Sequence, residues 1–282
     1  MSVHNKIVGK IVERSVGAGK LVGAQAKTKS APPKGKRPGT TPVTQRPTAL
    51  SYHSYDASLV DADFRELLPP DLQRNVRFDL LRRRDPRFFQ FTDMYYLAFP
   101  THEELQEYTS AAALSRIHRT RVRFQPLPAN GAEATRLCAA LGGYGANLRN
   151  AWESQEKYFA GISSARERKS APPRNIDSGT NGVSGAICAL ADLRAMEECS
   201  ALVWNLPHTL HPQEIADRFW FYDIKHCFKM YWDSERAASP DVSTLHYFAF
   251  NTPGEAHKFK CNFHGTFYND SPSNKLLVET LA

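Results

Sequence analysis

Arg119, Arg121 and Arg123 alternate with Thr120, Val122 and Phe124. On an extended strand this period of two projects all three guanidinium groups from one face. Three like charges in a row are costly unless they are solvated or paired. The pattern therefore points to a polyanion, the phosphates of a nucleic acid, with local acids such as Glu103 and Glu104 as the alternative partners. Leu50, Tyr52, Met94 and Tyr96 are expected on the same face, the two tyrosines as stacking rings. Arg82-Arg83-Arg84 with Arg87 adds a basic cluster predicted on a loop. Further along, alternation sets Leu202 and Trp204 beside Leu245 and Tyr247, with Lys225, Cys227, Lys229 and Tyr231 sharing that face. Aromatic rings stack on unpaired bases and lysines neutralise phosphates, the combination that single strands require. A helix laid over this face, with Leu202 and Leu245 as its floor, satisfies the same pattern.

Other chemistries find no support. The ten histidines include no H-E-x-x-H pair, and His208 and His211 have no nearby cysteine or carboxylate set for a metal. Gly17-Ala18-Gly19-Lys20 lacks the spacing and the preceding strand of a phosphate loop. No nucleophile–base motif is present. The expectation is a non-enzyme with no cofactor and no metal. The five cysteines form no C-x-x-C pair, which fits a reducing compartment. No apolar run approaches the ~18–20 residues that span a bilayer.

The elements that must position these residues are clearest at the C-terminal end. Ala201–Pro207 reads as a strand, His211–Phe219 as a helix with Pro212 near its start, and Ile224–Trp232 and Thr244–Phe250 as strands. A helix follows Thr252, and Lys275–Leu281 closes the unit as a strand, giving βαββαβ. Residues 49–128 read as a divergent second copy, with strands at Ala49–Tyr55, Phe88–Phe91, Tyr95–Phe99 and Arg119–Phe124 and helices at Asp61–Leu68 and Thr101–Ala113. Leu97–Glu104 aligns with Phe248–Glu255 at an offset of 151, and Ala49-Leu50 with Ala201-Leu202 at 152. Two nearly equal offsets at the two ends suggest one unit used twice. Between the copies, residues 129–200 form a helical connector. Its Gly142-Gly143 and Gly145 predict a break, 163–185 is a polar flexible loop, and Ala186–Cys199 is a short helix.

The net charge of +7 is uneven. Residues 1–48 carry ten Lys and Arg against Glu13 alone, a net +9, so the remainder carries −2. Lys6, Lys10 and Arg14 at four-residue spacing beside Ile7, Val8, Ile11 and Val12 read as a mitochondrial targeting peptide, followed by a disordered Pro- and Lys-rich linker. In Phe219-Trp220-Phe221-Tyr222, Phe219 is assigned to the core. Trp220 or Tyr222 is then a candidate protein-contact anchor, unless all four rings pack on the Ala186–Cys199 helix.

The βαββαβ order, with Leu202-Val203-Trp204-Asn205-Leu206 in the first strand and Tyr247-Phe248-Ala249-Phe250 in the third, resembles the RNA recognition motif. Leu202 and Leu245 stand where that family places stacking rings, and Ser243 where it places a Lys or Arg. The resemblance implies an α+β fold of two such units and a single-stranded RNA ligand. A second likeness rests on Tyr52-His53-Ser54-Tyr55, Arg84-Asp85-Pro86-Arg87-Phe88-Phe89-Gln90-Phe91, Phe219-Trp220-Phe221-Tyr222 and Phe228-Lys229-Met230-Tyr231-Trp232-Asp233. These strings resemble a family of fungal mitochondrial translational activators of the cytochrome c oxidase subunit 3 messenger. That resemblance implies a protein on the matrix side of the inner membrane, peripherally attached, helping the messenger's untranslated leader to be translated. It also implies partner activators, the mitoribosome, and assistance to group I intron splicing of the subunit 1 transcript. The competing class is a scaffold whose motif-like faces bind proteins and touch no RNA.

Overall fold

A computed structural model describes residues 46–168, 182–232, 243–268 and 275–282. The expected targeting helix and most of the expected 163–185 loop lie outside the described residues.

The N-terminal half runs β1 (Ala49–His53), α1 (Asp61–Arg65), α2 (Pro70–Gln73), β2 (Asp79–Arg84), β3 (Phe91–Ala98) and α3 (His102–Ala112). A small hairpin follows, β4 (Arg116–Ile117) and β5 (Thr120–Arg121), and then β6 (Phe124–Pro126). Helices α4 (Ala132–Glu153), α5 (Gln155–Arg168), α6 (Gly182–Ala191) and α7 (Arg194–Glu198) make the connector. The C-terminal half runs β7 (Ser200–Trp204), α8 (Pro212–Arg218), β8 (Ile224–Trp232), β9 (Thr244–Phe250), α9 (Pro253–Phe263) and β10 (Leu277–Thr280). Both four-stranded sheets are antiparallel, in the orders β6-β1-β3-β2 and β10-β7-β9-β8. In each half the fourth, first, third and second strands stand side by side, the arrangement of an RNA recognition motif. The fold is α+β, as the βαββαβ reading requires. The aligned threonines also act alike. Thr101 accepts from the Glu104 amide at 3.2 Å and Thr252 from the Glu255 amide at 3.4 Å, each capping the helix that follows the third strand.

Several expected elements are corrected. Strand two of the N-terminal half is Asp79–Arg84, whereas Phe88 and Phe89 lie in the loop after it, Phe89 with a left-handed φ of 57°. The glycines do not break α4, which runs unbroken for 22 residues to Glu153. Gly145 lies beneath α6, where a Cβ would come within 2.7 Å of Leu190 and 3.2 Å of Leu193. Its missing side chain sets the close approach of the two helices. The expected single helix over 186–199 is two, α6 and α7.

Among the described residues three apolar cores result. One lies between the N-terminal sheet and its helices, around Phe64, Tyr95 and Tyr108, and another between the C-terminal sheet and its helices, around Phe219, Phe248 and Phe259. The third is central. Tyr96 and Ala98 of one sheet and Leu202, Phe228 and Tyr247 of the other share it with Tyr144, Leu148, Tyr158 and Ile187 of the connector. Both sheets turn their helix-free faces toward the connector, and both faces are filled.

The β2–β3 segment fastens the halves together. Arg84 is buried and donates to Phe89 O at 2.8 Å, Leu281 O at 3.0 Å, Thr280 O at 3.3 Å and the Glu279 carboxylate at 2.8 Å. Asn147 donates to Pro86 O at 2.8 Å, and the Tyr158 hydroxyl donates to Arg87 O. Phe89 meets Tyr144, Tyr158 and Tyr247 edge-on at 5.7–5.9 Å. The basic string read as a loop cluster is therefore largely a strand. Arg82 donates to Leu59 O at 3.1 Å, Arg84 is internal, and of the four only Arg87 is exposed.

Candidate nucleic-acid interface

Strand parity decides which rings reach solvent. In β1, Leu50 and Tyr52 pair with Leu97 and Tyr95, so they face the helices and not the expected open face. Tyr52 packs edge-on against Phe64 at 5.7 Å, and burial raises its pKa, with Asp56 adding to the effect. Tyr96 does lie on the helix-free face, but only 3% of it is exposed. Helix α6 covers that face, tied down by a hydrogen bond between the Thr48 and Ser184 hydroxyls and by Cys188 beside Asp79. Burial outweighs the opposing effect of Arg83 and raises the Tyr96 phenol.

The C-terminal platform is closed more tightly. Tyr247 is 0% exposed, with Phe228 at 5.3 Å, Phe89 at 5.9 Å and the Ser200 hydroxyl 2.8 Å from its own. A protein ring occupies the position where an RNA recognition motif receives a base. Trp204 and Tyr231 are half-buried at the rim, both in register with Leu245, and Phe88 stands against Tyr231 at 5.9 Å. Bulges between Ile224 and His226 and between Lys229 and Tyr231 break the expected alternation of β8. Lys225 instead lies over the Trp152 ring at 4.2 Å, and Lys229 pairs across the strand with His246 and donates to His208 O at 2.7 Å. Tyr231 does share the face of Leu245 and Tyr247, but Lys229 does not, and Lys225 is taken up by the Trp152 ring, so no common stacking face forms.

The arginines are arranged differently from the expectation but remain in solvent. They do not line a fourth strand. Residues 116–121 form the β4–β5 hairpin, and the fourth strand begins at Phe124. Arg116 and Arg121 are directly opposite each other, while His118 and Arg119 occupy the two-residue turn with φ of 47° and 69°. Tight hairpins demand positive φ there and normally use Asn or Gly. Ile117 and Val122 are buried and root the hairpin in the N-terminal core. Arg116, Arg119, Arg121 and Arg123 are all exposed, and Arg121 donates to Ala113 O at 3.4 Å. Among the described residues no ion pair joins any of the four to Glu103, Glu104 or another acid.

Residues missed at the sequence level complete the patch. His118 Nδ1 is 3.2 Å from the Asp56 carboxylate, which pins the hairpin to the β1–α1 loop. Hydrogen bonds from the Ser58 hydroxyl and amide, and to a smaller extent His118, hold the Asp56 carboxyl below the usual carboxylate range. Next to it Tyr55 is 81% exposed, with the His53 ring perpendicular at 4.9 Å. The string Tyr52-His53-Ser54-Tyr55 carries the signal, but period-two alternation singles out Tyr52 and passes over Tyr55.

Two further expectations are settled by burial. Phe219 and Tyr222 are core residues, whereas Trp220 is 78% and Phe221 50% exposed. The four rings therefore do not all pack on the connector. Among the described residues, no group of three or more His, Cys, Asp or Glu side chains is placed to hold a metal, and no helix is long and apolar enough to cross a membrane.

Comparison with known proteins gives the family. A sequence model described as the Protein PET54 N-terminal domain matches residues 46–136. Protein PET54 of Saccharomyces bayanus is 37% identical over 232 residues, covering 78% of this chain and 72% of the relative. Protein PET54 of Saccharomyces cerevisiae (strain ATCC 204508 / S288c) is 31% identical over 281 residues, covering 94% and 88%. Among solved structures, a Sxl-lethal protein–RNA complex aligns over 83% of this chain and 99% of its own at 12% identity, with a TM-score of 0.25. So low a score carries no weight, and the fold assignment rests on the strand orders above. With two yeast relatives above 30% identity over most of their length, the chain belongs to the Protein PET54 family.

Proposed function

We propose that the protein is a non-catalytic, RNA-binding activator of mitochondrial translation. Its ligand is the untranslated leader of the cytochrome c oxidase subunit 3 messenger, and it works peripherally on the matrix side of the inner membrane. The same RNA-binding activity would serve group I intron splicing of the subunit 1 transcript where that intron exists. Partner activators and the mitoribosome complete the setting. Its RNA contact runs over the arginine hairpin and not over the two sheets, whose faces are filled by protein.

One observation carries this reading. Four exposed arginines sit on a six-residue hairpin and the two residues that follow, two of them directly opposed across the strands and a third in a left-handed turn position. Directly opposed like charges destabilise a strand pair, and a left-handed non-glycine residue costs ~1–2 kcal/mol. A polyanion relieves the charge repulsion, so the cost has a use. The test is binding of the full chain to a single-stranded leader over a range of salt concentrations. Each phosphate contact on a single strand contributes about −0.7 to the slope of log affinity against log salt. Replacing Arg119, Arg121 and Arg123 with Ala is expected to flatten the slope by about 2 and to weaken binding at least tenfold at low salt. An unchanged slope would remove the hairpin from the interface.

A second reading has its own observation. Trp220 and Phe221, 5.8 Å apart, are held out between two core rings, Phe219 and Tyr222. Exposed aromatics on a fixed turn are the usual anchors of protein contacts. If the protein is chiefly a scaffold for partner activators, Trp220→Ala should reduce their co-purification from mitochondria roughly tenfold or more. The melting temperature and RNA affinity should stay unchanged. Intact co-purification would dismiss this surface.

A further inference from the structure

We propose that Tyr55, propped by His53, is a stacking platform for one unpaired base of the RNA strand whose phosphates the arginine hairpin holds. This rests on the RNA-binding reading above and adds what it lacks, a reason for the site to prefer single strands.

Among the described residues Tyr55 is the most exposed large hydrophobic side chain, at 81%, yet its backbone is well fixed. The Ser54 amide donates to Asp93 O at 3.1 Å, the Asp56 amide to Ser54 Oγ at 3.1 Å, and the Ser58 amide to Asp56 Oδ1 at 2.9 Å. From the core below, the Tyr95 hydroxyl donates to Asp56 O at 2.7 Å. The loop is thus held from both sides while the ring projects outward. His53 meets the ring at 89° and restricts its swing. An exposed ring on a fixed backbone loses little conformational freedom when a flat partner settles on it.

The neighbours select the partner's charge. The Asp56–His118 pair brings the hairpin turn, with Arg119, alongside the loop. Asp56, the acid that meets the hairpin, is already engaged by the Ser58 hydroxyl at 2.6 Å, the Ser58 amide and His118. An apolar peptide would gain nothing from four arginines, whereas an unpaired nucleotide supplies a π-face and a phosphate together. A paired base within a duplex offers no free face to the ring.

The experiment measures full-length protein against a single strand and the same sequence as a duplex, for the wild type, Tyr55→Ala, Tyr55→Trp and the triple arginine variant. One base–aromatic stack contributes ~1–3 kcal/mol. Tyr55→Ala should therefore weaken single-strand binding roughly 5- to 150-fold, leave duplex binding and the salt slope unchanged, and melt as the wild type does. Tyr55→Trp should restore affinity, with its new indole fluorescence quenched by the single strand. Wild-type single-strand affinity in Tyr55→Ala, with the arginine variant still impaired, overturns the stacking role and leaves the RNA reading standing. Unchanged binding and slope in both variants overturns the two together. Loss of a protein partner from Tyr55→Ala, with RNA binding intact, assigns the ring to a protein surface and also overturns the proposal.

Discussion

Replacing Arg84 with methionine should destabilise the protein by about 3–5 kcal/mol, the range for breaking a buried ion pair from one side. The guanidinium is 1% exposed and serves four acceptors, three of them backbone carbonyls drawn from both halves of the chain. Methionine fills much of the volume but leaves those carbonyls and Glu279 without their donor, and buried polar groups without partners carry a penalty of their own. Arg84→Lys should not rescue, because an ammonium is a point charge with three donors and lacks the planar fork that reaches Phe89 O and Leu281 O at once. Urea denaturation measures the loss. A change below about 1 kcal/mol would mean that the end of the chain is held to the N-terminal half by other contacts.

Phe89→Ala should cost a similar ~3–5 kcal/mol, as large-to-small changes in packed cores do. Phe89 lies in the left-handed region at φ 57°, where a residue other than glycine stays only if its surroundings compensate. The compensation is the ring, fully buried among Tyr144, Tyr158 and Tyr247. Phe89→Gly separates the two effects. It relieves the backbone and loses the ring, so it should be less damaging than alanine by roughly 1 kcal/mol. Equal losses for the two variants would show that the backbone is unstrained. In both, the two halves should begin to unfold in separate steps, visible as divergent transitions by different probes.

Much of the fold was legible in the chain. Thr244–Phe250 alternates cleanly, and its two faces do go to two different cores. Pro212, Thr252 and Thr101 mark helix starts through local chemistry, and local chemistry is what a sequence carries. Strand β2 was missed because Asp-Leu-Leu-Arg-Arg-Arg shows no alternation, and its arginines looked like surface charge until the fold gave Arg84 buried acceptors. Lys229 was expected on the face of Tyr231 and Tyr247, but the bulge between Lys229 and Tyr231 slips the register by one residue, and one residue reverses every side chain beyond it.

The sequence by itself determined the βαββαβ succession, cleanly in the C-terminal half, and the threonine-capped helix that follows the third strand in each half. Tertiary structure alone decided which faces stayed open. Period-two spacing says which side chains travel together and nothing about what lies against them. Tyr247 has the same spacing whether a base or Phe89 rests beside it, and only the connector's path across both sheets filled those faces and left Tyr55 and the arginine hairpin in water.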